Sequence, residues 1–244
     1  MMKKLNWHFG RTELALKYLK IVYQGAINRI ALLDVRRTGK KSFLLKDFFP
    51  TALDQGFTPI YINLWSDPDN PALTILSAIE KTLAALETNP KSVLKDIAST
   101  EVKKVEVGSS LFGKMALEFS DKKAAAASDS ELIQISEVLA RLAVKCGDKA
   151  ILIIDEVQHL ATSHKFDTIQ RALRTALDTH STINLVYSGS SRSGIDAMFS
   201  DKDKAFFNSA FMIDFPRLDR AFVAHCRDTL QQYFDLDYNV NELC

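Results

Sequence analysis

Two stretches of this sequence bring together residue types that bind and transform anions. The first, Asp34-Val35-Arg36-Arg37-Thr38-Gly39-Lys40-Lys41-Ser42, follows a short apolar run and gathers cations around a glycine. A loop that cradles phosphate needs inward-pointing backbone N–H groups, a helix N-terminus behind them and a lysine that reaches the terminal phosphates. Gly39-Lys40 at a strand-to-helix junction supplies all three, or it is simply the basic start of a helix. The second stretch, Ile151-Leu152-Ile153-Ile154-Asp155-Glu156, is an apolar run that ends in two adjacent carboxylates. In phosphate chemistry the first, Asp155, holds the hydration shell of a Mg²⁺ ion, and the second, Glu156, orients or deprotonates an attacking water. A strand that merely meets solvent at an acidic turn has the same pattern.

The first stretch departs twice from the phosphate-loop pattern G-x-x-x-x-G-K-[ST]. Asp34 holds the first glycine position, and Lys41 holds the hydroxyl position that ligates Mg²⁺. Ser42 comes one residue late, roughly 100° further round a helix, and becomes a metal ligand only through a register shift. An ammonium at the Lys41 position opposes the ion by about 4 kcal/mol for unit charges about 4 Å apart near a surface, which an outward swing of the lysine stem relieves. Arg36, Arg37, Lys40 and Lys41 outweigh the single Asp34, so the loop suits a polyphosphate held with little help from a metal. The expected ligand is a polyphosphate, with Mg²⁺ binding weakened by Lys41 and its hydrolysis slow.

These residues need a scaffold that brings them together. Apolar runs at 28–35, 57–65, 150–155, 183–187 and 211–215 read as strands, and amphipathic stretches at 40–53, 73–86, 130–146, 166–180 and 219–234 read as helices. Pro50 is expected to end or kink the first of these. Strands separated mostly by helices imply an α/β fold with a central parallel sheet covered on both faces. Ligands of such sheets sit beyond the carboxyl ends of the strands, where both stretches lie. Residues 101–120 break the rhythm: Val102-Lys103-Lys104-Val105-Glu106-Val107 and Met115-Ala116-Leu117-Glu118-Phe119 flank a Gly-Ser turn, as a β-hairpin would. That insertion is the candidate surface for a protein partner. The expected organisation is a core over 1–217 and the start of a helical lid over 218–244, with the rest of the lid belonging to a longer chain or a partner.

Composition narrows the field. The 244 residues are 47% hydrophobic and 25% charged, so the chain can build a packed core. With 31 basic against 30 acidic side chains, bulk charge gives no support for a nucleic-acid coat, and such a partner would need a local patch. Cys146, Cys226 and Cys244 are odd in number and far apart, which excludes a disulfide framework and points to a reducing, cytoplasmic setting. No apolar run approaches a membrane span. The five histidines have no metal-ligand spacing, and no nucleophile elbow or Ser-His-Asp set is legible.

Taken together, the motifs resemble the archaeal-type ATPase group of the STAND/AAA+ P-loop NTPases. The likeness rests on Trp7-His8-Phe9-Gly10-Arg11-Thr12-Glu13, Arg36-Arg37-Thr38-Gly39-Lys40, Tyr61-Ile62-Asn63-Leu64-Trp65, Ile153-Ile154-Asp155-Glu156-Val157-Gln158-His159-Leu160 and Val186-Tyr187-Ser188-Gly189-Ser190-Ser191-Arg192. It implies an ATP-binding core, with a Walker B strand at 153–160 and a sensor-1 strand and its following loop at 186–193. It places Asp155 on Mg²⁺ through water, Glu156 as the catalytic carboxylate, and Gly10 and Arg11 near the adenine. Ser190, or alternatively Ser188, becomes the sensor-1 hydroxyl, each equally readable as a loop-capping serine. Arg192 reaches a phosphate or a neighbouring subunit, or is a solvated loop arginine. Lys41 and Asp34 leave room for a pseudo-ATPase scaffold instead.

Overall fold

The computed structural model describes residues 7–24, 28–33, 38–88 and 129–234, with isolated positions between 94 and 100. Asp34, Arg36 and Arg37, the hairpin expected at 101–120 and the chain after 234 lie outside them.

Strands β1 (Arg29–Leu33), β2 (Thr58–Asn63), β3 (Ala150–Asp155), β4 (Asn184–Ser188) and β5 (Phe211–Asp214) form one parallel sheet in the order β2-β3-β4-β1-β5. Every residue of β1, β3 and β4 is buried, as expected of strands covered on both faces. Alternate side chains of each strand serve opposite layers. Ala31, Ile62, Leu152, Ile154 and Leu185 pack with helices α4 (Pro71–Thr88), α5 (Asp129–Cys146), α6 (Asp167–Thr179) and α7 (Arg192–Ser200). Ile30, Leu32, Ile151, Ile153 and Val186 pack with α1 (Thr12–Gln24), α2 (Lys40–Phe43) and α3 (Phe49–Asp54). Each fully buried aliphatic or aromatic side chain contributes about 1.5–3 kcal/mol, so these two layers hold the strand ends in place. A last helix, α8 (Arg220–Phe234), packs Phe222 and His225 on the ring of Phe9 in the N-terminal segment.

Pro50 does not end the helix: a π turn just before it carries the chain into the next helical segment. Helix α2 runs through a π turn, Leu44–Phe48, into α3, and Pro50 sits in the first turn of α3. The wide turn lets the Phe49 N–H bond the Leu44 carbonyl, an i→i+5 contact, and places proline where a missing N–H costs least. Sheet register sets the site. Asp155 stands beside Asn63 at the end of β3, Leu32 beside Ser188, and Leu33 beside Asp214. The chain crosses from β4 over β1 to β5, so the carboxyl end of β1 lies between those of β4 and β5.

Candidate functional site

Thr38, Gly39, Lys40, Lys41 and Ser42 line a cleft of about 240 Å³ together with Asp155, Glu156, Ser188, Gly189 and Ser190. The two chemically suggestive stretches of the sequence therefore face each other across the carboxyl edge of the sheet. A larger hollow, about 380 Å³, follows β2 and α4; its lining includes a lysine and an aspartate but no convergent set of reactive groups.

Gly39 has φ +81, in the left-handed region, and caps α2. Its carbonyl accepts from the Phe43 N–H at 2.9 Å and from Arg11 Nη2 at 2.8 Å. Arg11 lies over the rings of Phe43 and Phe215, 5.1 and 4.8 Å from their centroids. Burial draws its pKa below the ordinary guanidinium value, against the pull of Asp47. Buried Asp47 accepts from the Arg11 backbone N–H at 3.1 Å and lies 2.9 Å from His8 Nε2. Gly10 and Arg11 do not line the cleft; Arg11 braces the turn from behind.

Lys40 is buried at the head of α2, and Lys41 and Ser42 follow it on the cleft wall. Asp155 is 4% exposed. Its Oδ2 accepts from the Tyr61 hydroxyl at 2.6 Å and its Oδ1 from the Glu156 N–H at 3.1 Å. Burial pushes the Asp155 carboxyl above the ordinary carboxylate range. The Tyr61 bond opposes this, the Glu156 charge adds to it, and the Lys41 ammonium opposes it again. Lys41 is thus close enough for its charge to act on Asp155.

Glu156 also occupies the left-handed region, at φ 60 and ψ 35, which is uncommon for a residue with a side chain. The turn carries its Oε2 to the loop after β4, where Ser190 Oγ donates at 2.8 Å and the Ser190 N–H at 3.3 Å. Gln158 Nε2 donates to the same oxygen at 2.5 Å. Ser188 lines the cleft from the end of β4 without such a bond to Glu156. Arg192 pairs with Asp214 at 2.6 Å, with both side chains more than half exposed, and such a pair is worth about 0–1 kcal/mol. Cys146 and Cys226 are partly buried free thiols, and among the described residues no group of acidic, cysteine or histidine side chains has metal-site geometry.

Tyr61 and Gln158 are the partners that sequence reasoning passed over. Tyr61 is an apolar-looking strand residue until the pairing of β2 with β3, which sets it beside Ile153, lets its hydroxyl reach Asp155 two residues further on. Gln158 sits two residues after Glu156, and the signal available was its place in a 3₁₀ turn, Val157–Ala161, that folds back on the carboxylate.

No family model and no curated protein matches the sequence. Solved structures do. A Walker-type ATPase of Pyrococcus abyssi superposes with a TM-score of 0.55 at 17% identity, covering 100% of this chain and 64% of that one. The Orc1 protein of Aeropyrum pernix, solved in complex with DNA, gives 0.51 at 15% identity, over 94% of this chain and 50% of that one. The chain thus spans about half to two thirds of the length of these proteins. The five-stranded parallel sheet, its helical layers and these likenesses agree on one conclusion: this chain shares the α/β fold of that Walker-type ATPase and of the Orc1 protein.

Proposed function

We propose that the cleft binds the polyphosphate of ATP or ADP and that the protein is a slow ATPase or a nucleotide-dependent switch. The observation that carries this reading is the convergence of the Gly39–Ser42 turn, the Asp155–Glu156 pair and Ser190 on one cleft. Lys40 meets the terminal phosphates, with the α2 N-terminus behind it. Arg36, Arg37 and Thr38 extend the cationic loop, Ser190 binds the terminal phosphate, and Gly10 and Arg11 border the base. Glu156 orients the attacking water. Membership of the STAND branch and a reducing, cytoplasmic setting belong to the same proposal.

The residues do not fit a conventional Mg²⁺ site. Each Asp155 oxygen accepts one hydrogen bond and keeps a lone pair free, so the misfit lies at Lys41, whose ammonium acts on Asp155 from the position of the usual hydroxyl ligand. Ser42 lies one step round the helix from that position. We therefore assign the charge-neutralising role to Lys41 and its basic neighbours, and route no step through a metal. Nucleotide titration with Mg²⁺ and with EDTA tests this: affinity retained in EDTA supports it, and binding that vanishes without Mg²⁺ contradicts it. A Lys41→Thr variant should restore Mg²⁺ dependence and raise turnover; an unchanged rate removes Lys41 as the cause of slowness.

A second reading, a scaffold with an impaired site, is favoured by Lys41 itself. Thermal shifts with ATP, ADP and GTP read beside turnover separate them: a shift with turnover marks the ATPase, a shift without turnover the switch or a scaffold that uses nucleotide only for stability, and no shift with any of them a scaffold that uses none. A protein partner would meet the insertion at 101–120 or the helices after β5. DNA binding belongs to the Orc1 protein, and the near-neutral charge of this chain gives it no support here. No helix among the described residues is long and apolar enough to cross a membrane.

A further inference from the structure

The segment around Gln158 does more than continue the chain. Its side chain packs on two glycines, the amide on one and the stem on the other: a Cβ on Gly189 would fall 1.8 Å from Gln158 Oε1, and a Cβ on Gly194 would fall 3.2 Å from Gln158 Cβ. The loop after β4 is therefore shaped to admit this side chain. Gln158 Nε2 donates to Glu156 Oε2 at 2.5 Å and stands 3.4 Å from Ser190 Oγ, tying the 3₁₀ turn, the carboxylate and the loop together. Its Oε1 is buried and has no partner, a costly arrangement for a side chain only 9% exposed. The amide orientation is nonetheless dictated, because the opposite flip would set Oε1 against the Glu156 carboxylate.

We infer that Gln158 is a positioning residue that latches Glu156 onto the loop after β4, holding the carboxylate off the attacking water and restraining turnover. The inference rests on the nucleotide reading above and deepens it. Three donors, two from Ser190 and one from Gln158, converge on a single Glu156 oxygen. To serve a water near the terminal phosphate, that carboxylate has to leave them. A phosphate that draws the Ser190 hydroxyl removes one donor, but Gln158 keeps its hold. Its amide has no phosphate partner in this arrangement and so sets the remaining barrier. The latch makes and breaks hydrogen bonds only.

The test measures nucleotide affinity and single-turnover ATP hydrolysis for the wild type, Gln158→Leu and Gln158→Met. Losing one hydrogen bond to a charged acceptor should raise kcat about tenfold, with the nucleotide Kd within about twofold and thermal stability unchanged or higher. Adding Glu156→Gln to Gln158→Leu should abolish the gain. Gly189→Ala, which expels the amide from the other side, should reproduce the rise and covers the case in which Gln158 variants fold poorly. A wild type that binds nucleotide while all three variants keep or lose turnover overturns the latch and leaves the nucleotide reading intact. So does a gain that survives removal of the Glu156 carboxylate. A wild type that binds no nucleotide overturns the reading itself, and the latch with it.

Discussion

Replacing Gly39 with alanine tests whether the turn before Lys40 is held in the geometry a phosphate cradle needs. At φ +81 a side chain costs about 1–2 kcal/mol in left-handed strain. The new Cβ would also lie 3.2 Å from Arg11 Nη2, the atom that donates to the Gly39 carbonyl at 2.8 Å. Arg11 cannot retreat freely, because its guanidinium is packed over Phe43 and Phe215. Weakening that charge-assisted bond adds about 1 kcal/mol, against about 1.5–3 for losing it. The expected loss is therefore about 2–3 kcal/mol, or roughly 4–12 °C in Tm for a chain of this length. Urea denaturation measures it directly. Arg11→Met should cost a similar amount, and the double variant should lose less than the sum, since each change disturbs the same contact. A Gly39→Ala protein within about 0.5 kcal/mol of wild type, or strict additivity with Arg11→Met, would refute the reasoning: the turn would then be free to adopt another conformation.

Three further outcomes follow from groups at or near the sheet ends. Asp155 binds its proton more tightly folded than unfolded, so the stability it lends is full in acid and fades as pH rises through its elevated folded value. Asp155→Asn should accordingly be at least as stable as wild type at pH 7, with the advantage shrinking toward pH 4; denaturation at several pH values checks this, and the opposite trend would count against the buried-charge account. Tyr187 is completely buried and its hydroxyl has no partner among the described residues, so Tyr187→Phe should gain about 1 kcal/mol in urea denaturation. Arg29, at the start of β1, donates to Asp178 at 2.5 Å and to the Leu177 carbonyl at 2.7 Å. Arg29→Met should lose about 1–3 kcal/mol, again by urea midpoint, because a buried carbonyl is left without its charged donor.

The sheet was legible because β1, β3 and β4 are short apolar runs bounded by polar turns, and burial on both faces leaves no other use for such runs. The edge strand β2 is shorter than the expected 57–65, running Thr58–Asn63, since the pairing with Ala150–Asp155 of β3 and not hydropathy decides where a ladder starts and stops. Helix α7 was missed: Arg192–Ser200 is short and mixes serine and glycine with Ile195, Met198 and Phe199, and only the tertiary contact of those three reveals its apolar side. Pro50 did not end its helix for a local reason, the π turn that hands the helix from Phe43 to Phe49. In the site, Gly39, Lys40, Asp155 and Glu156 could be read from type and spacing. Their supports could not. Tyr61, Arg11 and Gln158 act through hydrogen bonds across |i−j| of 94, 28 and 2, and neither hydropathy nor motif spacing marks such partners.

The energetics of the carboxylate pair bear on whether the cleft is active or vestigial. Burial disfavours the charged form of Asp155, and Glu156 is held in a left-handed turn that costs a non-glycine residue of order 1–3 kcal/mol. A fold that kept this corner for packing alone would gain by placing glycine at 156 and an amide or apolar group at 155. The Tyr61, Ser190 and Gln158 bonds offset part of the cost, and both carboxylates line the cleft that Lys40 and Lys41 border. Strain held by surrounding contacts and directed at a cationic wall is what a site built for a polyanion and a water requires. Glu156→Gly discriminates on this point. It should raise stability by about 1 kcal/mol or more once the strain is relieved, while ending turnover and leaving nucleotide affinity near that of the wild type. Lower stability in the glycine variant would mean that the Ser190 and Gln158 bonds outweigh the strain, and the argument from cost would fail.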